Sequence, residues 1–261
     1  MQQRSDESLA VERVSLIPGS PWWGEHRSRY HFAGRFVAGQ KVLDIACGTG
    51  FGGPILLNAK AASVLGIDIS REGLEEARRE LSDRYYLCQA DGTRLPLRDN
   101  SIEVITSFET LEHTPFYREL LGEFRRVLMP EGVLILSTPN ALYTKPVDGK
   151  PLNPFHVREF TPLELREMLS SCFSRVELLG QRTHPRYRIC PHWELPENLP
   201  RDLASRLKVV AWKVQCRMPE PLREGISRLL WGRSFYPGEH DFIFAPEEVE
   251  RGHVLVAVCR P

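Results

Sequence analysis

The chain has 261 residues, 42% hydrophobic and 26% charged, which excludes a disordered protein and allows one α/β domain with a small appendage. Basic and acidic residues balance at 34 each, so no global charge argues for nucleic acid, and a nucleic-acid partner is not expected. No apolar run approaches the roughly 20 residues of a membrane span, and MQQRSDESLAVERVSLIPGS carries no apolar signal core, so a cytoplasmic location is expected.

In chain order, residues 1–20 read as a loosely held start. PWWGEHRSRYHFAGRFV has apolar positions at helical spacing and reads as a helix lying over the first strand. From Lys41 the pattern alternates. KVLDIA is a buried strand, CGTGFGG a glycine-rich turn and PILLNAK a helix. SVLGIDIS is a strand and REGLEEARREL a helix; RYYLCQAD and SIEVITSF are strands, followed by the helix FYRELLGEFRRVL and the strand GVLILSTPN. TPLELREMLSSCF is a helix with Thr161 as N-cap, Pro162 in its first turn and Glu164 completing a capping box. SRVELLGQ and HVLVAVCR complete the strands. Strands alternating with helices predict a parallel sheet covered on both faces. The six cysteines form no C-x-x-C pair, and Cys47, Cys88 and Cys259 read as buried thiols of a reducing compartment.

About seventy residues between the last two strands break the alternation, with helices expected at RDLASRLKVVAWKVQCR and PLREGISRLLW. Residues 183–240 are expected to be an inserted lid or substrate element, or else a cap over the sheet edge, between the two parts 21–182 and 241–261 of the main domain. The stretch 201–233 holds eight basic and three acidic residues. It fits a phosphate, a lipid-linked sugar or a peripheral membrane contact, or the solvated side of two amphipathic helices. His184, His192 and Trp193 either line a substrate pocket or simply pack.

Open parallel sheets bind ligands outside the carboxyl ends of their strands. Asp44 sits within an apolar strand, where a carboxylate needs a partner, either a ligand ammonium or the amides of the following turn. Gly48 and Gly50 permit a tight turn into a helix whose N-terminus favours negative charge. Asp68, 24 positions after Asp44, ends the second strand and can accept from ribose hydroxyls, with Ser70 better placed to cap the helix. Asp91 with Gly92 ends the third strand, as an acceptor for an exocyclic amine or as an Asp-Gly turn. Gly48, Gly50 and Gly53 also satisfy G-x-G-x-x-G, but a nicotinamide site has no use for Asp44 or the Asp91 turn.

The runs VLDIACGTGFG, LGIDIS, QADGTRLPLRDNSIEVITSFETLEH and RRVLMPEGVLILSTPN resemble class I S-adenosylmethionine-dependent methyltransferases over roughly residues 25–180 and the last strand. The resemblance implies a Rossmann-like seven-stranded sheet with helices on both faces and the last strand antiparallel. It implies S-adenosylmethionine as cosubstrate, with Asp44, Gly48 and Gly50 lining its methionine, Asp68 its ribose, Asp91 and Gly92 its adenine, and Ile69 also among the residues that bind it. Phe108 would begin the loop beneath the sulfonium, and Arg29 and Tyr30 would reach the methionine carboxylate. EHRSRYHFAGRFV, SFETLEH, STPN and NPFHVREFTPLEL are similar to the methyltransferase type 11-like enzymes found with bacterial sugar and lipopolysaccharide biosynthesis.

FETLEHTP follows the fourth strand and is expected to start a helix, with Glu109, Glu112 and His113 on one face. Together with His156 they can hold a hard divalent ion such as magnesium. The pattern resembles two magnesium-dependent groups, the 2′-hydroxyl methyltransferases of small RNAs and the catechol methyltransferases of ubiquinone synthesis. The former carry a second His where this chain has Thr114. Without a metal, Glu112 would cap the helix and His113 would bond to backbone. The expected function is O-methylation of a sugar or other polyhydroxylated metabolite, with His113 or His156 as base. The alternatives are a metal-free small-molecule methyltransferase acting at O, N or C, and a non-catalytic cofactor-binding subunit. Oligomeric state is not legible.

Overall fold

The computed structural model describes residues 20–187 and 202–261. The expected loose start before Ser20, and His192 and Trp193, lie outside the described residues.

Helix α1 (Pro21–Ala33) precedes strand β1 (Lys41–Ile45). Then follow α2 (Gly52–Asn58), β2 (Ser63–Asp68), α3 (Arg71–Ala77), β3 (Tyr85–Gln89) and β4 (Ile102–Phe108). Next come α4 (Tyr117–Val127), β5 (Leu128–Pro139), the short α5 (Ala141–Thr144), α6 (Pro162–Ser170) and β6 (Arg175–Thr183). Helices α7 (Leu203–Gln215) and α8 (Glu220–Trp231) lead to β7 (Phe242–Ala245) and β8 (Val254–Arg260).

One sheet runs in the order β3-β2-β1-β4-β5-β8-β6-β7. The pairs among β1 to β5 are parallel, and β8 is antiparallel to both β5 and β6. The expectation of seven strands is corrected to eight. Phe242–Ala245, within the main-domain part 241–261 but not read as a strand, pairs antiparallel with Gly180–Thr183 and extends the sheet by one edge strand. Four residues are too short to show a strand period.

Alternate side chains of the central strands build two cores. Leu43, Ile105 and Leu134 pack with Leu121, Phe124 and Leu165 of α4 and α6. Val42, Val104 and Val133 pack with Tyr30, Phe32 and Leu56 of α1 and α2. The α6 start holds as read: Thr161 Oγ1 accepts from the Glu164 N–H and Glu164 accepts from the Thr161 N–H, a closed capping box. Between β1 and β4 the strand order reverses, which places a crevice at their carboxyl ends.

The helix expected at FETLEHTP does not form. Leu111–His113 is a single 3-10 turn, and Glu109 before it has φ +52°. Pro115 drives Thr114 out of the helical region (φ −125°, ψ 135°), so α4 starts only at Tyr117.

Candidate active site

After β1 the backbone turns through Ala46, Gly48 and Gly50 with φ of 56°, 54° and 77°. A Cβ on Gly48 would meet nothing within 4 Å, whereas one on Gly50 would lie 2.6 Å from Ala77 Cβ. Gly50 is thus demanded by packing, and Gly48 leaves open backbone at the crevice. The Gly48 N–H donates to Asp68 Oδ2 at 2.8 Å, and the Ser70 N–H donates to Asp68 Oδ1 at 2.7 Å. Capping of α3 falls to Ser70, whose Oγ accepts from the Gly73 N–H at 3.1 Å. Ile69, beside Asp68, is 61% exposed.

Asp44 is fully buried in the sheet, paired in register with Thr106 of β4. Its partners are not turn amides. Thr106 Oγ1 donates at 2.7 Å, and the Tyr30 hydroxyl lies 3.2 Å from each carboxylate oxygen. Burial pushes the Asp44 carboxyl up to about 7, against the pull of those two hydroxyls. Tyr30 also meets Phe108 edge to face at 4.9 Å, so α1 closes over the end of β4. Asp91 accepts from the N–H and hydroxyl of Thr93, both at 2.8 Å, forming a local turn. A Cβ on the adjacent Gly92 would press on Leu120 of α4 at 2.7 Å.

Arg29 is completely buried. It donates to Glu25 Oε1 at 2.6 Å and to Gln181 Oε1 at 2.8 Å, and its Nη1 lies 3.3 Å from His26 Nδ1 and 3.5 Å from Glu109 Oε1. Burial raises Glu25, but His253, Arg29 and His26 together outweigh it and hold the carboxyl well below the usual range. Burial, then Arg29, pushes His26 down to about 4. Sequence reading missed Glu25 and Gln181. Glu25 lies one turn before Arg29, a helical ion-pair spacing visible in the sequence, whereas nothing local marks Gln181.

The acidic and histidine residues past β4 divide into two groups. Glu109 turns toward α1 and β5: its Oε1 accepts from Ser137 Oγ at 2.6 Å and lies against Arg29. Glu112 is buried the other way, with Oε2 accepting from Thr138 Oγ1 at 2.9 Å. Its Oε1 has no hydrogen-bond partner among the described residues and lies 3.8 Å from His113 Nε2. Burial, then the charge of Glu109, holds the Glu112 carboxyl well above the usual range. The loop 153–158 is fastened here, since the Val157 N–H donates to the Glu112 carbonyl at 2.7 Å. That brings His156 against His113, with ring centroids 5.0 Å apart. His113 Nδ1 bonds to the Phe155 carbonyl at 3.1 Å, and His156 Nδ1 bonds to Glu159 Oε1 at 2.6 Å. One ligand atom each from Glu112, His113 and His156 lie within 4.8 Å of one another, and Glu109 is not among them. Glu159 was not singled out from sequence, although its i, i+3 spacing from His156 is a readable signal.

Residues 43–136 match the family described as methyltransferase domain. Over 174 residues the chain is 33% identical to a Mycolicibacterium smegmatis protein named as a probable S-adenosylmethionine-dependent methyltransferase, covering 65% of this chain and 67% of that one. A similarly named Mycobacterium tuberculosis protein is 32% identical over 168 residues, covering 64% and 61%. The chain thus spans about two thirds of the length of these relatives, or slightly less. A crystal structure of an S-adenosylmethionine-dependent methyltransferase from Mesorhizobium loti aligns with a TM-score of 0.53 at 18% identity, over 93% of this chain and 99% of that one, a likeness of fold.

Proposed function

The chain belongs to the S-adenosylmethionine-dependent methyltransferase family, and on that premise we propose that it methylates a hydroxyl of a sugar or another polyhydroxylated metabolite. The observation that carries the acceptor reading is the imidazole pair His113–His156 at the mouth of the crevice, next to the end of β4.

The residues present fit the cosubstrate. Open backbone at Gly48 leaves room for a ligand, the exposed Ile69 offers an apolar surface for a base, and Asp68 retains acceptor capacity for ribose hydroxyls. Asp44 supplies a carboxylate whose charged form a ligand cation would stabilise. Bound S-adenosylmethionine supplies an electrophilic methyl group. Tyr30 and Phe108 pack together where Phe108 ends β4, and exclude water from that side. The Phe155 carbonyl accepts from His113 Nδ1–H, which sets the tautomer and presents Nε2 as the base for the acceptor proton. Glu159 holds His156 through Nδ1, and Asn153 Nδ2 lies 3.0 Å from its Nε2, so His156 positions the pair while His113 presents the base.

A second reading, metal assistance, is favoured by the buried and unbonded Glu112 Oε1 facing His113. Two imidazoles and one carboxylate suit a borderline ion such as zinc, or manganese as the more nitrogen-tolerant hard ion, better than magnesium, which takes oxygen ligands.

The test is turnover of S-adenosylmethionine against a panel of sugars, polyols, amines and carbon acids. We expect turnover with a hydroxyl acceptor, and His113→Ala to lower kcat by roughly 100- to 10,000-fold with S-adenosylhomocysteine binding unchanged. Turnover confined to amines or carbon acids, or full activity of His113→Ala on a hydroxyl, defeats the reading.

A further inference from the structure

Helices α7 and α8 are built with their apolar stripes outward. On α7, Trp212 stacks on Phe235 at 5.6 Å and Gln215 is 5% exposed, so that side faces the protein. Trp212, Gln215, Ser227 and Trp231 close around a cavity of about 10 Å³ where the two helices meet. Opposite lie Leu203, Leu207, Val210 and Val214, which are 73%, 61%, 57% and 50% exposed. At about 100° per residue these four fall within roughly 60° of one another, a single stripe along the helix. On α8, Leu222, Leu229 and Leu230 are likewise 55%, 85% and 64% exposed. The exposed side of the two helices thus carries apolar residues beside its charged ones. A contiguous exposed apolar stripe marks a contact surface.

Charge identifies the occupant. From Leu203 to Pro219 the chain carries Arg206, Lys208, Lys213 and Arg217, all exposed, and no Asp or Glu. Arg206, Lys213 and Arg217 fall along one flank of the stripe by the same helical spacing. In a chain of zero net charge this concentration is local. Leucine and valine edged by cations match a bilayer whose acyl region takes the stripe and whose phosphates take the cations. A second copy docking stripe to stripe would bring two like-charged flanks together.

We propose that α7, with α8 packed beside it, is an interfacial element that docks this protein on an anionic lipid surface. The stripe is made of residues outside the catalytic machinery, so the test separates cleanly from methyl transfer. Full-length protein is sedimented with phosphatidylcholine vesicles, with and without phosphatidylglycerol. Wild type is expected to sediment with the anionic vesicles only, and less so in high salt. Arg206→Gln/Lys213→Gln/Arg217→Gln is expected to bind about a hundredfold more weakly, from the loss of three cations at the surface. Leu207→Asp/Val214→Asp is expected to lose binding while keeping the wild-type melt. The proposal is overturned if wild type stays in the supernatant with both vesicle types, or if Leu207→Asp/Val214→Asp still sediments. It is overturned equally if sedimentation velocity finds a wild-type dimer that this variant splits, with no vesicle binding, because the stripe then belongs to a second copy.

Discussion

Thr106 Oγ1 donates a 2.7 Å hydrogen bond to Asp44 across the β1–β4 pair, where the order of the sheet reverses. With Tyr30 it stabilises a carboxylate inside an apolar sheet, and burial still raises that carboxyl from 3.8 to about 7. The folded state therefore keeps a proton that the unfolded chain releases at lower pH. The contribution of Asp44 to stability is full below about pH 4 and is lost as pH rises to about 7. Urea titrations of wild type and Asp44→Asn across this window should show the variant with a flatter pH slope. Parallel slopes would contradict the raised value. Thr106→Val removes a bond to the charged form and should cost about 1.5–3 kcal/mol above pH 7.

Ligand binding should follow the opposite sign. A ligand ammonium near Asp44 favours the charged carboxylate, so affinity for S-adenosylhomocysteine should fall as pH drops from 8 to 6. The loss approaches tenfold per unit below about pH 7. Calorimetric titration of Asp44→Asn should give weaker, pH-independent binding. A flat wild-type profile would place the ligand cation elsewhere.

The two turn glycines should respond differently to alanine. Gly48→Ala puts a methyl into open space at φ 54°, so the cost is backbone strain of about 1–2 kcal/mol, with a larger relative loss of S-adenosylhomocysteine affinity. Gly50→Ala drives its methyl into Ala77 and should destabilise the fold more. Melts and calorimetry on both variants check the order. Equal affinity of Gly48→Ala and wild type would show that no ligand approaches that backbone.

Metal dependence should divide the two acceptor routes. With an ion held by Glu112, His113 and His156, a chelator abolishes turnover and manganese restores it, while Glu112→Gln stays inactive at all metal concentrations. Unchanged turnover in chelator assigns proton removal to the imidazoles alone.

Arg29→Met should be among the most destabilising single changes, at about 3–5 kcal/mol, because it removes the 2.6 Å ion pair from the buried Glu25 carboxylate and leaves it to His253 at 3.5 Å, and it also strips Gln181 of its buried donor. Denaturant unfolding measures it. Restoration of most of the loss in Arg29→Met/Glu25→Gln would confirm that the cost is the uncompensated charge, and equal loss in both variants would assign it to packing.

Much of the fold was legible because it is local. The buried runs KVLDI and VLILST, the Thr161-Pro162-Glu164 cap and the turn glycines each state their conformation within a few residues. The edge strand β7 was not legible: four residues give no period, and only pairing with Gly180–Thr183 makes them a strand. Glu109, Glu112 and His113 looked like one helix face by spacing. Pro115 and the left-handed Glu109 prevent the helix and send the two carboxylates to different partners, Ser137 and Thr138.

By itself the sequence determined the strand–turn–helix order, the glycine turn and the acidic residues at strand ends, because dihedral preference and burial period act over short stretches. Tertiary structure decided which groups meet. Arg29 finds Gln181 152 residues away, His156 reaches His113 through the loop bonded to the Glu112 carbonyl, and α7 turns its leucines outward. These outcomes depend on which surfaces the packed sheet brings together, and no local pattern carries that information.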